Sequence, residues 1–309
     1  MYKFAIIGLG HISQYYIAAI NKNPDISLVA LCDKNKKNDV YKQLNAPFYT
    51  NYKKMLEAND LDAVVILTPN YTHCEIARYA INKKINVLCE KPLGATVEEC
   101  KQNIALAEVK KIILFTAFHR RFNKNFLQLK KHIDLQQNLQ SICVRYFEDI
   151  NKHSGGENWY FNPKKSGGGC VMDNGINVFD LILNFVSDPV IKSVELLYKN
   201  DGIDVKALIK LTDQAANVDI TVYLDWISEN EIKDILIKTS EGSLGADLLS
   251  GFPAFKESLW HEYEGVITEF VNLLRTKKCA FVDERNLKAM RLVEDTYDLS
   301  KISCLASLR

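Results

Sequence analysis

The sequence predicts an α/β protein: an N-terminal Rossmann domain with a doubly wound parallel sheet, then an α+β domain with a large, open, mostly antiparallel sheet. Three observations predict it. Short apolar, β-branched runs alternate with helical patterns over roughly the first 120 residues, a glycine turn joins the first run to the first helix, and later strand patterns follow one another with no helix between them. Alternating strands and helices require crossovers that cover both faces of a parallel sheet, whereas successive strands pair antiparallel.

Residues 3–7 (KFAII) give the first strand, GLGH the turn, and a helical pattern runs from Ser13 to about Asn21. A second strand covers 27–32, and the runs 63–67, 85–89 and 112–117 repeat it, separated in part by helices at 72–82 and 96–110. A helix at 123–133 leads to a strand near 141–148, a Gly-, Asn- and Lys-rich loop over 151–169, and a helix from about 170 to 186. Alternating runs at 190–198, 203–212, 217–226 and 232–239 build the antiparallel sheet. Two helices follow, 261–276 and 284–303, the second with Leu287, Met290, Leu292, Val293, Tyr297 and Ile302 at rough helical spacing. The expected domains are 1–120 and 121–309, without a flexible linker.

Composition narrows the class. The 309 residues suit two domains of roughly 150 each. A net charge of +1 without a long basic run argues against nucleic-acid or membrane-surface binding. None of the eight cysteines forms a Cys-x-x-Cys pair, so no zinc ribbon or dithiol site is expected, and no metal. Most sit in apolar runs such as LVALCD and read as buried thiols of a reducing compartment, which places the protein in the cytoplasm. The opening MYKFAIIGLG ends in a glycine turn and reads as a strand and not a signal peptide, and no apolar stretch reaches the roughly 18 residues needed to span a bilayer.

Gly8-Leu9-Gly10-His11-Ile12-Ser13 matches G-x-G-x-x-G with Ser at the third glycine position. Gly8 permits the tight turn, Gly10 lets backbone approach a pyrophosphate, and Ser13 is small enough where helix packs on strand. The helix that begins there offers free N–H groups and a positive dipole end to phosphate. Asp33, 23 residues after Gly10, ends the second strand where an acid accepts from the adenosine ribose hydroxyls. NAD is therefore expected over NADP, the preference tempered by Lys34, Lys36 and Lys37.

Two further segments, VVILTPNYTH (64–73) and VLCEKPL (87–93), follow predicted parallel strands and so end on the carboxyl edge of the sheet. Glu90-Lys91-Pro92 puts a lysine–carboxylate neighbour pair there, and a lysine whose pKa is tuned downward exchanges a proton with a hydroxyl. Asp173, Asn177 and Asp180 fall at i, i+4, i+7 and share a helix face, with a structural role favoured for Asp180. Gly167-Gly168-Gly169 ahead of them would let substrate or nicotinamide come close to the backbone. In the preceding loop Trp159 and Tyr160 either stack on nicotinamide or sugar or pack in the core, and His153 is either solvated or a proton-transfer group.

Taken together, GLGHIS, TPNYTH, EKPL, HRRFN and SGGGCVMDNGINVFD resemble the glucose–fructose oxidoreductase, inositol dehydrogenase and MocA (Gfo/Idh/MocA) family, in its order and at its spacing. The resemblance implies NAD or NADP and hydride transfer between nicotinamide and a CH–OH/C=O carbon of a sugar or polyol. Lys91 matches the lysine that contacts nicotinamide ribose and substrate. Asp173 matches a substrate-binding acid, and Asn177 stands where most members carry a histidine general acid/base. Thr68, Pro69, Asn70, His73, Glu90, Arg121 and Trp159 fall on segments expected to line the cofactor, with Gly8, Gly10, His11, Ile12 and Asp33. Aldose 1-dehydrogenases for L-arabinose and D-galactose similarly carry Asn at the motif position. The expected activity is therefore oxidation of an aldose at C1. The alternatives are a UDP-sugar 3-dehydrogenase, an inositol dehydrogenase, or a cofactor-binding sensor without catalysis. A homodimer or homotetramer through the C-terminal sheet is implied as well.

Overall fold

The computed structural model describes residues 1–35, 44, 46–133, 138–154, 156, 158–199, 202–276 and 284–306. Lys36, Lys37 and Cys279 lie outside the described residues. The chain divides into two compact units, Met1–His119 with Tyr263–Asp283, and Arg120–Glu262 with Glu284–Arg309. A single boundary near residue 120 does not provide for the return of the chain to the first unit at Tyr263.

In the first unit the elements run β1 (Tyr2–Ile7), α1 (Ser13–Lys22), β2 (Ile26–Cys32), β3 (Phe48–Tyr49), α2 (Tyr52–Ala58), β4 (Ala63–Ile66), α3 (His73–Asn82), β5 (Asn86–Glu90), α4 (Val97–Lys110) and β6 (Leu114–Ala117). The sheet is parallel throughout, in the order β3-β2-β1-β4-β5-β6. Its central strands read as continuous apolar runs because helices cover both faces: Phe4–Ile7 and all of β4 and β6 are buried. The chain leaves β1 toward β2 on one side and β4 on the other, so the switch point lies between β1 and β4, at whose carboxyl edge ligands bind in such sheets. The Thr96 hydroxyl accepts from Glu99 N–H at 3.2 Å and starts α4. The segment from Tyr263 packs here too. The Tyr263 ring stacks on Tyr15 (5.7 Å between centroids) and His119 (5.0 Å), and Phe270 meets Phe4 (5.7 Å) and Phe115 (6.0 Å).

The second unit holds α5 (Lys124–Ile133), β7 (Leu139–Asp149), α6 (Ile150–His153), α7 (Pro163–Ser166), α8 (Ile176–Ile182), β8 (Pro189–Tyr198), β9 (Asp204–Asp213), β10 (Val218–Asp225), β11 (Ile227–Thr239), β12 (Gly242–Asp247), the start of α9 (Phe255–Thr276) and α10 (Glu284–Ala306). Its strands lie in the order β12-β11-β7-β10-β9-β8, antiparallel except for the β7–β10 pair. Alternate residues (Ile142, Val144 and Tyr146 on β7, Ile220, Val222 and Leu224 on β10) are buried, while Arg145 and Tyr223 between them are exposed. The sequence places β10 and β11 as neighbours. In the sheet β7 inserts between them, a long-range pairing for which local periodicity carries no signal.

The helix expected over 170–186 is two pieces. Val171–Gly175 forms a π turn, and α8 continues it to Ile182. Such wide turns inside helices recur at functional sites. Asp173 and Asn177 sit in and just after this one.

Candidate active site

The glycine turn follows the sequence logic closely. Gly8 has φ +94°, and a Cβ built there would lie 2.7 Å from the Leu67 carbonyl carbon and oxygen and 2.8 Å from Thr68 N. Only glycine permits both the dihedral and the approach of the β4 loop. Gly10 O accepts from the Ser13 hydroxyl at 2.6 Å, so Ser13, fully buried, closes the turn on itself. The N-terminus of α1 has no side-chain cap and no acidic residue in its first turn. The positive dipole end of this helix, flanked by exposed His11 and half-exposed Ile12, suits an anionic pyrophosphate. Asp33 stands half-buried at the end of β2. Its Oδ2 accepts from Leu9 N–H at 2.7 Å and its Oδ1 from Asn35 N–H at 2.8 Å. One carboxylate thus steadies the glycine turn and retains lone pairs for ribose hydroxyls.

On the carboxyl edge of β4 and β5, Thr68 and Pro69 are half-buried and Asn70 is buried. Glu90 is buried, and its Oε1 accepts from the Tyr16 hydroxyl at 2.7 Å and its Oε2 from Lys91 N–H at 3.1 Å. Burial, with Glu90 beside it, pushes the Tyr16 phenol well above its ordinary pKa, so it remains the donor. Tyr16 was missed in the sequence, where it reads as one more apolar helix position. Lys91 is half-buried just past β5. His73 lies almost wholly buried with both ring nitrogens on backbone: Nδ1 is 2.7 Å from Pro92 O and Nε2 2.5 Å from Thr68 O.

The other expected residues lie in the second unit. Asp173 is half-buried and Asn177 buried. Asn177 Nδ2 reaches Asp173 O at 3.4 Å, and its Oδ1 is buried with no hydrogen-bond partner among the described residues. Asp180 is fully buried and takes Arg121 Nε at 2.8 and 2.7 Å, with a further Arg121 Nη2 contact. This pair gives Asp180 the structural role favoured for it and accounts for much of Arg121's donor capacity. Trp159 and Tyr160 stack on one another at 3.9 Å between centroids.

The glycine run has a physical reason other than ligand approach. A Cβ on Gly168 would lie 2.1 Å from the Tyr297 hydroxyl, and one on Gly169 would lie 1.9 Å from Asp204 O. Asp204, buried at the start of β9, accepts from Gly169 N–H (2.7 Å), Val171 N–H (2.8 Å) and the Tyr297 hydroxyl (2.9 Å). It caps the turn that carries Asp173. Asp204 and Tyr297 have no sequence signal, because each comes from an element distant along the chain.

Behind the same turn lies a buried ionic network. Lys233, with no exposure, bonds Glu148 Oε2 at 2.8 Å and Glu231 Oε1 at 2.5 Å; Glu148 Oε1 takes Asn174 Nδ2 at 3.0 Å; and His153 Nε2 meets Glu231 Oε1 at 3.1 Å. Burial opposes the charge of Glu231, yet His153 and Lys233 together bring its pKa down to about 2. Glu148, His153 and Glu231 are close enough to share a metal ion, but the Lys233 ammonium already supplies the positive charge between the two carboxylates. Arg120, also fully buried, pairs with Glu262 at 2.8 Å.

The sequence profile of an oxidoreductase family with an NAD-binding Rossmann fold, Gfo/Idh/MocA, matches residues 2–118. Over 96% of the chain and 96% of the relative, the sequence is 24% identical to a scyllo-inositol 2-dehydrogenase (NADP(+)) of Bacillus subtilis. Over residues 2–118 the chain carries the NAD-binding domain of the Gfo/Idh/MocA oxidoreductase family. Two solved structures show the same fold: scyllo-inositol dehydrogenase from Lactobacillus casei with NAD(H) and scyllo-inositol (TM-score 0.86, 17% identity, 98% of each chain) and a D-galactose-1-dehydrogenase protein from Rhizobium etli (TM-score 0.81, 24% identity, 96% of this chain and 94% of that one). The protein is an NAD(P)-dependent oxidoreductase, and its first unit is the NAD-binding Rossmann fold. Among the described residues no helix is long and apolar enough to cross a membrane.

Proposed function

We propose that this Gfo/Idh/MocA protein oxidises an uncharged sugar, an aldose at C1, with NAD as hydride acceptor. The observation that carries the reading is Asn177 Oδ1, a buried acceptor without a donor among the described residues. A buried carbonyl left unpaired costs about 1–3 kcal/mol, so a site that keeps one has a use for it, and a sugar hydroxyl is the matching donor. An amide takes up no proton at neutral pH. Asn177 therefore holds a hydroxyl, while Lys91 and Asp173 are the groups proposed to handle its proton. The anomeric position suits such a site, because its hydroxyl is more acidic than an ordinary secondary alcohol and the ring oxygen stabilises the charge that develops as hydride leaves.

A neutral substrate also agrees with the charge pattern. The buried basic side chains of the second unit, Arg120, Arg121 and Lys233, each face a carboxylate of the chain, which disfavours their use on a diphosphate or uronate. The test is to incubate the enzyme and NAD with free aldoses, inositols and UDP-sugars and to identify products by mass spectrometry. Lactone or aldonate from a free aldose supports the proposal. A keto-inositol or a 3-keto sugar nucleotide as sole product refutes it.

A further inference from the structure

His73 does something in the structure that its place in the TPNYTH segment does not announce. Its ring lies between two backbone carbonyls that belong to different loops, Thr68 O after β4 and Pro92 O after β5, at 2.5 and 2.7 Å. Those loops carry Thr68–Asn70 on one side and Glu90–Lys91 on the other. The Thr68 loop in turn presses on the glycine turn at Gly8. One imidazole therefore ties the backbone of the loop after β4, which packs on the glycine turn, to that of the loop after β5.

A carbonyl oxygen only accepts, so each of the two contacts needs an N–H on the ring. A neutral imidazole has one N–H and satisfies one carbonyl; the imidazolium has two and satisfies both. We propose that His73 is a positioning residue that locks the loop after β4 to the loop after β5, holding both when doubly protonated and releasing one when neutral. It touches neither cofactor nor substrate in this reading. It fixes the backbone on which the cofactor-lining side chains stand. The inference rests on the reading that these two loops line the NAD site.

The charged groups facing the ring are Glu90, which favours the imidazolium, and Lys91, which opposes it. Burial is the largest influence and holds the His73 pKa below its ordinary value of 6.5. The doubly held form is accordingly favoured as pH falls below that range, and at neutral pH and above one of the two carbonyls lacks its donor.

The test is NAD titration by protein fluorescence from pH 5 to pH 8 on wild type, His73→Gln and His73→Leu, with melting temperature measured in parallel at each pH. A charge-assisted hydrogen bond gained on acidification predicts NAD binding about tenfold tighter at the acid end for wild type. The pH step should vanish in both variants, and His73→Gln, which keeps a donor, should bind closer to wild type than His73→Leu. Nitrogen NMR of the His73 ring adds a readout independent of cofactor: one protonated nitrogen at pH 8 and a second gained on acidification below the ordinary imidazole range. An unchanged pH step in His73→Gln, or a ring singly protonated throughout, overturns the inference. Failure of the reading it rests on looks different: wild type binds NAD, but Asn70→Ala and Thr68→Ala leave the affinity unchanged at every pH.

Discussion

Replacing Asn177 by leucine separates what the residue does for the fold from what it does for the substrate. The side chain is 2% exposed, its Oδ1 has no partner, and its Nδ2 makes one long contact of 3.4 Å to Asp173 O. The unpaired acceptor costs the folded state about 1–3 kcal/mol, and the long contact returns at most about 0.5–1 kcal/mol. Leucine has nearly the same shape and no polar atom. Asn177→Leu should therefore leave stability unchanged or raise it by about 1 kcal/mol, which is about 2–4 °C in Tm for a chain of this class. Loss of the hydrogen bond to a sugar hydroxyl should lower kcat/KM by roughly 10- to 100-fold, the equivalent of about 1.4–3 kcal/mol. Calorimetry on the free enzyme and steady-state NADH formation on the identified sugar read the two effects. A variant that melts several degrees lower, with kcat/KM intact, would refute the reasoning. It would show Asn177 to be a structural residue whose oxygen is satisfied in solution.

Lys91→Met should lower kcat by roughly 10²-fold or more, with a much smaller change in NAD affinity, as expected if Lys91 relays a proton; near-normal turnover makes it a bystander. Asp33→Ser should shrink the preference for NAD over NADP in paired titrations and also loosen the glycine turn, since it removes the acceptor for Leu9 N–H. Arg121→Met should destabilise by about 3–5 kcal/mol because it strands Asp180 without exposure, and adding Asp180→Leu should restore most of the loss; urea melts of the single and double variants decide it. Glu231, held at about 2 against an ordinary 4.5, contributes stability that is complete above pH 4.5 and lost as pH falls through 2. Glu231→Gln should flatten that stretch of the stability–pH curve, and an unaltered acid limb counts against the network.

The local layer of this molecule was legible in its sequence. Runs such as AVVI and FAII read as strands buried on both faces, and Gly8 can only be glycine where φ is positive and Leu67 presses from behind. The register of motifs on strand ends, from Gly8 to Asp33 to Glu90-Lys91, followed from chain order, because each lies within a few residues of the element that positions it. Tertiary structure decided the rest, wherever the controlling partner is distant along the chain. It inserted β7 between β10 and β11, and it returned the segment from Tyr263 to the first unit. It assigned the Gly168–Gly169 pair to Asp204 and Tyr297, and it set His73 between two carbonyls. Periodicity and spacing report which face of an element is apolar. They carry no information on which distant side chain will meet it, and that meeting gave Asp180 its arginine and left Asn177 Oδ1 without a partner.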